Sequence, residues 1–451
     1  MCALKLNVEQ QKAVELVLAP DWPADALFIT GAAGTGKSTV LREIVDQLEK
    51  AKKQFAVLAP TGIAAINVKG QTIHSFFKFP PRLLRYENDE DIPIFSVASQ
   101  RRHILRSLEY LIIDEISMVR VDVLDAIDFS LRENRERDEP FGGVKLILFG
   151  DVLQLEPVVP ADEQKYLEYT WQTPFFFSAR VWRRASLGIF KLTKIMRQAQ
   201  DQKFASLLER VRTGDKLAFH MLRQSLKTKI TRKLSTSDKS VVLTPYRKIA
   251  QRINEYFLDK INSEEKVYVA QIQGNIQPTD MPVKEKITLK KGAKVMIMVN
   301  NTEKGYINGD IGTVEELKEH SVNVRLQRTG GLVEVAQNNW EKYEFRVSEQ
   351  TNRIEPHVVG QFVQLPIRLA WAITIHKAQG LTLDKVNILL GRGTFAHGQL
   401  YVALSRCRSL NDITIDRLPN WTDLRIRPEV VKFLDSIYAG KKQDELVIFA
   451  P

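Results

Sequence analysis

Leu27-Phe28-Ile29-Thr30-Gly31-Ala32-Ala33-Gly34-Thr35-Gly36-Lys37-Ser38-Thr39 decides how this chain is read. Leu27–Thr30 is a short apolar run that stops at glycine, the pattern of a strand buried on both faces of a parallel sheet. Lys37–Lys50 contains no internal Gly or Pro and predicts a helix. The eight residues from Gly31 to Ser38 fit G-x-x-x-x-G-K-[ST], and they sit where that pattern requires, between strand and helix. The glycines let backbone N–H groups around Gly34, Thr35 and Gly36 approach phosphate oxygens. Lys37 is spaced to reach the β- and γ-phosphates, the Ser38 hydroxyl to hold magnesium, and Thr39 follows in the same turn. The bland reading, a glycine-rich turn without nucleotide, does not account for these flanks.

Working outward, Phe55–Ala59, Tyr110–Ile113 and Lys145–Phe149 repeat the apolar strand type. Strands alternating with helices predict a doubly wound sheet, and hence a first α/β domain over residues 1–185. Asp114-Glu115 closes one of these strands. A carboxylate at the carboxyl end of a parallel strand faces the ligand crevice, so Asp114 is expected to bind magnesium and Glu115 to polarise the attacking water. Gly150-Asp151-Val152-Leu153-Gln154 follows another strand, and the Gln154 amide can sense a γ-phosphate. Gln10, ahead of the first helix, can read an adenine edge with its amide.

The second half restarts the pattern. Val241–Thr244, Phe362–Leu365, Val386–Leu390 and Asp412–Ile415 read as strands, with helices over about 246–260, 371–379 and 398–407. Residues 186–285 and 352–451 are therefore expected to form a second α/β domain. From 286 to 351 the helical period disappears, and β-type runs alternate with the turn dipeptides Asn308-Gly309 and Gly330-Gly331. This predicts a small inserted β-barrel. A lesser insertion at about 76–102 carries aromatics, prolines and the acidic run Glu87–Asp91.

Two arginines in the second half suit phosphate chemistry. Arg406 lies off the apolar stripe Leu400, Ala403, Leu404 and Cys407, so it is expected to cross the inter-domain cleft as an arginine finger. Arg197 is the other candidate. Thr61 and Gly62, His74, Phe76 and Phe77, and Thr374, His376 and Lys377 interleave polar, basic and ring groups, which single-stranded nucleic acid requires. Composition agrees: 65 Lys and Arg against 54 Asp and Glu give a net charge of +11 across 451 residues, which favours a polyanionic partner. Two cysteines, Cys2 and Cys407, cannot build a disulfide framework or a four-cysteine zinc site. They fit a reducing, cytoplasmic setting. The seven histidines are scattered, and no apolar run reaches membrane-span length.

Read in order, GAAGTGKST (31–39), APTGIAA (59–65), HSFF (74–77), IIDEISMV (112–119), FGDVLQLEPV (149–158), LTKIMRQ (192–198), ITIHKAQGLTL (373–383) and YVALSRC (401–407) resemble the motifs of superfamily-one DNA helicases of the 5′-to-3′, B-type branch. Pro140–Ile147 is similar to the signature of the petite-integration-frequency family in particular. The resemblance spans about residues 4–410. Glu156 departs from it, standing where a second proline is expected before Pro157. The resemblance implies two RecA-like domains with ATP and magnesium between them, Gly380 and Arg406 on the nucleotide, and a Src-homology-three-like barrel at 286–351. It implies a bacterial-like helicase core with little added at either end, monomeric or dimerising on DNA. The partners it implies are single strands, forks, RNA–DNA hybrids and G-quadruplexes, in DNA repair, recombination, and telomere or genome maintenance. The rival readings are a protein-remodelling ATPase and a passive single-strand binder.

Overall fold

The computed structural model describes residues 6–449 other than 23, 86–90, 198–200, 232–239, 302, 349–350, 352 and 439–445. The chain divides into two compact units, one of Met1–Met196, Glu341–Val359 and Arg427–Pro451, the other of Arg197–Trp340 and Gly360–Ile426.

In the first unit, α1 (Val8–Leu18), β1 (Ala26–Gly31), α2 (Lys37–Lys50), β2 (Phe55–Ala59), α3 (Gly62–Asn67), β3 (Gln71–Thr72), α4 (Ile73–Phe77), α5 (Gln100–Ser107), β4 (Tyr110–Ile113), α6 (Val121–Arg135), β5 (Lys145–Gly150), α7 (Gln164–Trp171) and β6 (Leu187–Leu192) follow in order. Six strands pair in parallel in the order β6-β1-β5-β4-β2-β3. Side chains alternate across the sheet. Leu27 and Ile29 join Val14 and Val17 of α1 and Leu41 and Ile44 of α2 in one core. Ala26 and Phe28 join Leu124, Ile127 and Leu131 of α6 in the other. Helices thus cover both faces, which is why the strands are continuously apolar. Each fully buried Leu, Ile or Phe here contributes about 1.5–3 kcal/mol.

The sequence ends this domain at 185; the structure does not. Leu187, Ile189, Phe190 and Leu192 of β6 are buried beside β1. Two later segments also return. Within Glu341–Val359, Phe345 enters the core with its ring 6.0 Å from Phe76, and its N–H donates to Gln71 Oε1 at 3.1 Å. Glu344 accepts from Lys78 (3.0 Å) and Arg101 (2.5 Å), and these cations hold its carboxyl down at about 2 against the upward pull of burial. Near the C-terminus, α13 (Pro428–Tyr438) stacks Phe433 on Phe177 at 4.2 Å, and β21 (Val447–Phe449) adds antiparallel to β6. Glu156 pairs with Arg427 at 2.7 Å, which gives the departure from proline a structural use. The acidic run of the 76–102 insertion lies outside the described residues except for Asp91, which is buried and paired with Arg82 and Arg85.

The second unit contains α8 (Gln202–Arg212), α9 (Lys216–Leu226), β7 (Val241–Thr244), α10 (Arg247–Asp259), β8 (Glu265–Val269), β9 (Gln271–Gly274), β10 (Lys286–Lys290), β11 (Lys294–Ile297), β12 (Ile311–Leu317), β13 (Ser321–Leu326) and β14 (Leu332–Ala336). After these come β15 (Asn338–Val347), β16 (Ile354–Gln364), β17 (Ile367–Leu369), β18 (Ala372–Thr374), β19 (Val386–Ile388), α11 (Gln399–Leu404), β20 (Ile413–Ile415) and α12 (Trp421–Leu424), with β15 and β16 running through Glu341–Val359 of the first unit. Its parallel sheet is β18-β7-β19-β20. Three expectations need correction. Phe362–Leu365 is not part of this sheet; Phe362 belongs to β16 in the antiparallel sheet β15-β16-β9. Residues 371–379 are not a helix but β18 followed by a single 3-10 turn, His376–Ala378, because the β-branched Ile373 and Thr374 favour extension and helical φ/ψ begins only at Ile375. The helix expected over 398–407 is the six residues of α11. Antiparallel strands run from Glu265 to Leu369, beyond the 286–351 expected, with β14-β13-β12-β11-β17 as the largest such sheet. Among the described residues no helix is long and apolar enough to cross a membrane.

Candidate nucleotide and nucleic-acid sites

In the first unit, three strands deliver their functional groups to one edge of the sheet, because β1, β4 and β5 run parallel. After β1 the chain takes positive φ at Gly34 (86°) and Gly36 (89°) and enters α2. A Cβ on Gly36 would stand 2.2 Å from Gln10 Nε2 and displace that amide, and the positive φ itself favours glycine there. Gln10 is buried. Its Nε2 donates to Thr35 O (3.1 Å), and its Oε1 accepts from Asn7 N–H (3.0 Å) in a capping box that starts α1. One N–H and one lone pair of the amide remain for a base edge. Lys37 lies folded over the loop, with Nζ donating to Gly31 O (2.7 Å) and Ala32 O (3.2 Å).

Asp114 continues from β4, its N–H donating to Leu58 O. Burial pushes its carboxyl up, while the Glu115 N–H (2.9 Å) and the Lys37 charge pull it back. Glu115 holds φ of 51°, a left-handed conformation that costs a non-glycine residue roughly 1–3 kcal/mol and clusters at functional sites. Beyond β5, Asp151 organises its own turn by accepting from Leu153 N–H (3.2 Å) and from Gln154 Nε2 (3.0 Å). Gln154 is buried and fixed at the same edge. Among the described residues there is no cluster of three His, Cys, Asp or Glu side chains that could hold a metal. Magnesium fits regardless, since it takes one or two protein oxygens and fills its shell with phosphate and water. Ser38 and Asp114 are the oxygens available.

In the second unit, Arg406 is completely buried. Its guanidinium donates to Val402 O (2.8 Å), Ala378 O (3.1 Å), Leu381 O (3.2 Å) and Ser405 Oγ (2.7 Å). This fork braces α11 against the turn after β18. Arg197 meets the same turn, donating to Thr382 Oγ1 (2.9 Å), Gly380 O (3.2 Å) and Ser405 O (3.1 Å). Gly380 is exposed at φ of 80°, with open space around it.

The ring groups assigned to nucleic acid divide. Phe76 and Phe77 are fully buried, Phe77 stacked on Phe79 at 5.1 Å, and neither offers a face to a base. Their α4 spacing places them in the core, as an apolar pair usually is. His74 is half-buried and edge-on to Phe79, with its pKa lowered chiefly by burial. Thr61 is exposed and caps α3, bringing Gly62 to the helix start. Thr374 is buried and accepts from Lys377 N–H (3.3 Å). His376 stacks on Phe395 at 5.9 Å. Tyr246 also packs on Phe395, at 5.8 Å, and Thr244-Pro245-Tyr246-Arg247 repeats the residue types of Thr374-Ile375-His376-Lys377.

Parallel α/β units with a phosphate-cradling loop and an acidic strand end define a P-loop NTPase of RecA-like architecture. The model of the PIF1-like helicase family matches residues 5–220, and a second model described as a helicase matches 292–440. The chain is 35% identical over 423 residues to the ATP-dependent DNA helicase PIF1 of Xenopus laevis, covering 91% of this chain and 61% of that protein. It is 30% identical to the Pif1 helicase of Bdellovibrio bacteriovorus, covering 95% of this chain and 92% of the relative. It matches the structure of Bacteroides sp Pif1 in complex with ADP-AlF4 with a TM-score of 0.87 at 34% identity, covering 99% of each chain. The same Bacteroides helicase bound to single-stranded DNA matches with a TM-score of 0.66 at 34% identity, again over 99% of each chain. The chain belongs to the PIF1-like helicase family. It spans about three-fifths of the length of the vertebrate relatives it matches.

Proposed function

We propose that this protein is an ATP-driven motor that moves 5′-to-3′ along single-stranded DNA and opens duplex or structured DNA ahead of it. The observation that carries this reading is one sheet edge holding the phosphate loop, Asp114, Glu115 and Gln154, in a chain whose relatives are named ATP-dependent DNA helicases. The Bacteroides complex with single-stranded DNA supports the choice of polymer.

The roles follow from chemistry. Gly34–Thr39 and the start of α2 cradle the phosphates, and Gln10 braces the loop while reading the base. Lys37 leaves its carbonyls for the β- and γ-phosphates. Ser38 and Asp114 would hold magnesium, which screens phosphate charge when bound. Glu115 orients water and takes its proton, and Gln154 senses the γ-phosphate. Arg197 and Arg406 respond to the same phosphate through the turn they share at 378–382. ATP then favours one of two arrangements of each DNA-contacting segment, and turnover moves the strand. Thr61, Gly62, His74, Thr374, His376 and Lys377 are the contacts we assign to DNA. Residues 76–102 act as the duplex-opening element, and the antiparallel region including 286–351 as a barrel-like clamp. The core works as a monomer in the cytoplasm.

The test measures ATPase with and without oligo-dT, and unwinding of 5′- and 3′-tailed duplexes. Single strands should stimulate hydrolysis, and only the 5′-tailed duplex should open. Lys37→Ala should abolish hydrolysis and unwinding while single-strand binding persists. ATPase indifferent to DNA would remove the motor reading, and a preference for 3′ tails would reverse the polarity.

A further inference from the structure

β6 ends at Leu192, so the backbone N–H groups of Thr193 and Lys194 have left the sheet. N–H groups at a strand end need acceptors, and both find one in a single carboxylate. Glu9 Oε2 accepts from Thr193 N–H (2.9 Å) and Lys194 N–H (3.1 Å), and Glu9 Oε1 accepts from the Thr193 hydroxyl.

Glu9 stands in the first turn of α1, next to Gln10. The two neighbours hold different segments. Gln10 Nε2 holds the phosphate loop at Thr35 O (3.1 Å). Glu9 holds the segment after β6. That segment then reaches the loop itself, because Met196 N–H donates to Gly34 O (2.9 Å). The contacts close a ring: from Glu9 to Thr193, along the chain to Met196, across to Gly34 and Thr35, and through Gln10 back to α1. Every member lies in the first unit.

A closed ring of hydrogen bonds acts as one unit, so opening one link loosens the members on both sides of it. The member with most to lose is Gln10. Its amide spends one N–H on Thr35 O and its oxygen on Asn7 N–H (3.0 Å), which leaves one N–H and one lone pair for a base edge. Using both at once requires the amide to be held within about 0.5 Å of its productive place. Helix ends fray, and Gln10 lies in the first turn of a helix of 11 residues. The Glu9 tie to the segment after β6 opposes that fraying from the side away from the loop.

We propose that Glu9 is a positioning residue for base recognition: by tying α1 to Thr193 and Lys194, it fixes the direction in which the Gln10 amide meets adenine. The inference rests on the base-reading role given to Gln10 and goes beyond it. Lys37, Asp114 and Glu115 act on the phosphates and the water, so the chemical step does not pass through Glu9. What Glu9 supplies is geometry rather than charge. An amide in its place can do the same, its oxygen accepting from the two N–H groups and its NH2 donating to the Thr193 hydroxyl. A methyl group cannot.

Steady-state hydrolysis by the full chain on saturating oligo-dT, with ATP and with GTP, tests this. Adenine offers a donor beside an acceptor, N6 and N7, whereas guanine offers two acceptors, O6 and N7. Only adenine satisfies both the N–H and the lone pair of Gln10. Glu9→Ala should raise KM for ATP about 10- to 100-fold, the loss expected for hydrogen bonds to a charged group, and leave kcat within about twofold of the parent. The ATP-to-GTP ratio of kcat/KM should fall about tenfold. Glu9→Gln should keep KM and the ratio within about threefold of the parent. Thr193→Val, which removes only the hydroxyl, should lie between the parent and Glu9→Ala. Gln10→Ala is the reference and should erase the preference for ATP. Loss of the preference in Gln10→Ala with its retention in Glu9→Ala would overturn the Glu9 role alone, as would a fall in kcat with KM unchanged. Should Glu9→Ala not fold, an unchanged ATP-to-GTP ratio in Thr193→Val would overturn it equally. A Gln10→Ala variant that keeps the preference would instead bring down base reading at Gln10, and the Glu9 role with it.

Discussion

The two parallel sheets have the same kind of edge and opposite chemistry. At the carboxyl end of the first, β1, β4 and β5 deliver glycines, one lysine and carboxylates: Gly34, Gly36, Lys37, Asp114 and Glu115. At the carboxyl end of the second, β7 and β18 deliver rings and cations: Tyr246, Arg247, His376 and Lys377, with Phe395 between the rings. The first edge suits a compact polyphosphate with a metal ion. The second suits a polymer whose charge and flat faces repeat. Shared architecture therefore says only where a ligand binds, and the few residues after each strand say which ligand.

The sharpest way to break this contrast is at Glu115. Glu115→Gln keeps the shape and removes the base, so kcat should fall by about 10²–10⁴ with ATP affinity within a few-fold. Single-turnover kinetics beside equilibrium nucleotide binding would measure both. A near-normal kcat would take catalysis away from the first edge.

Arg406→Ala tests whether the second unit serves the first edge at all. A finger that engages in the transition state implies a kcat loss on the order of 10³. Its burial against four acceptors adds a second expected result, a lower melting temperature equivalent to about 1–3 kcal/mol. Loss of stability with kcat preserved would confine Arg406 to bracing α11.

Glu344 reports on the segment that returns to the first unit. Glu344→Gln should lower stability at pH 7 by about 1.5–3 kcal/mol, as expected for hydrogen bonds to charged groups. The Glu344 carboxyl is depressed to about 2 from 4.5. Its contribution is therefore present above pH 4.5 and lost as pH falls toward 2. Urea unfolding of parent and variant should differ at pH 7 and converge at low pH; a difference independent of pH would assign the effect to packing.

The smallest expected effect lies at the second edge. Lys377 loses its proton as pH rises through about 8, so oligo-dT affinity should decline a few-fold between pH 7 and 9. Lys377→Arg, charged throughout, should flatten that profile. Anisotropy titrations at constant ionic strength decide it.

The nucleotide site was legible because its signals are local. Strand, glycine turn, lysine and helix follow one another directly, Asp114-Glu115 closes an apolar run, and Gln154 follows another within four residues. Family resemblance carried the rest of the functional reading on the order of the motifs. Apolar spacing alone could not separate a buried ring from an exposed one. Phe76 and Phe77 looked suited to bases and lie in the core; Phe395 drew no notice and is exposed. Pairing over long separations was equally invisible. β21 joins β6 across some 255 residues, and Phe345 meets Phe76 across about 270, so no local pattern could draw those boundaries.

The sequence by itself determined the phosphate loop, the acidic strand end, the parallel α/β character of both halves and the β-rich interruption of the second. Backbone propensity, glycine geometry and side-chain period act within one turn or strand, and a sequence displays them directly. Only the tertiary structure decided that Arg406 is caged by carbonyls, that Gln10 braces the loop it was expected to read beside, and that Thr244 and Thr374 stand in register so that two rings meet on Phe395. Each of these depends on which distant groups come within about 3–6 Å, and burial and strand pairing set that only once the chain has closed on itself.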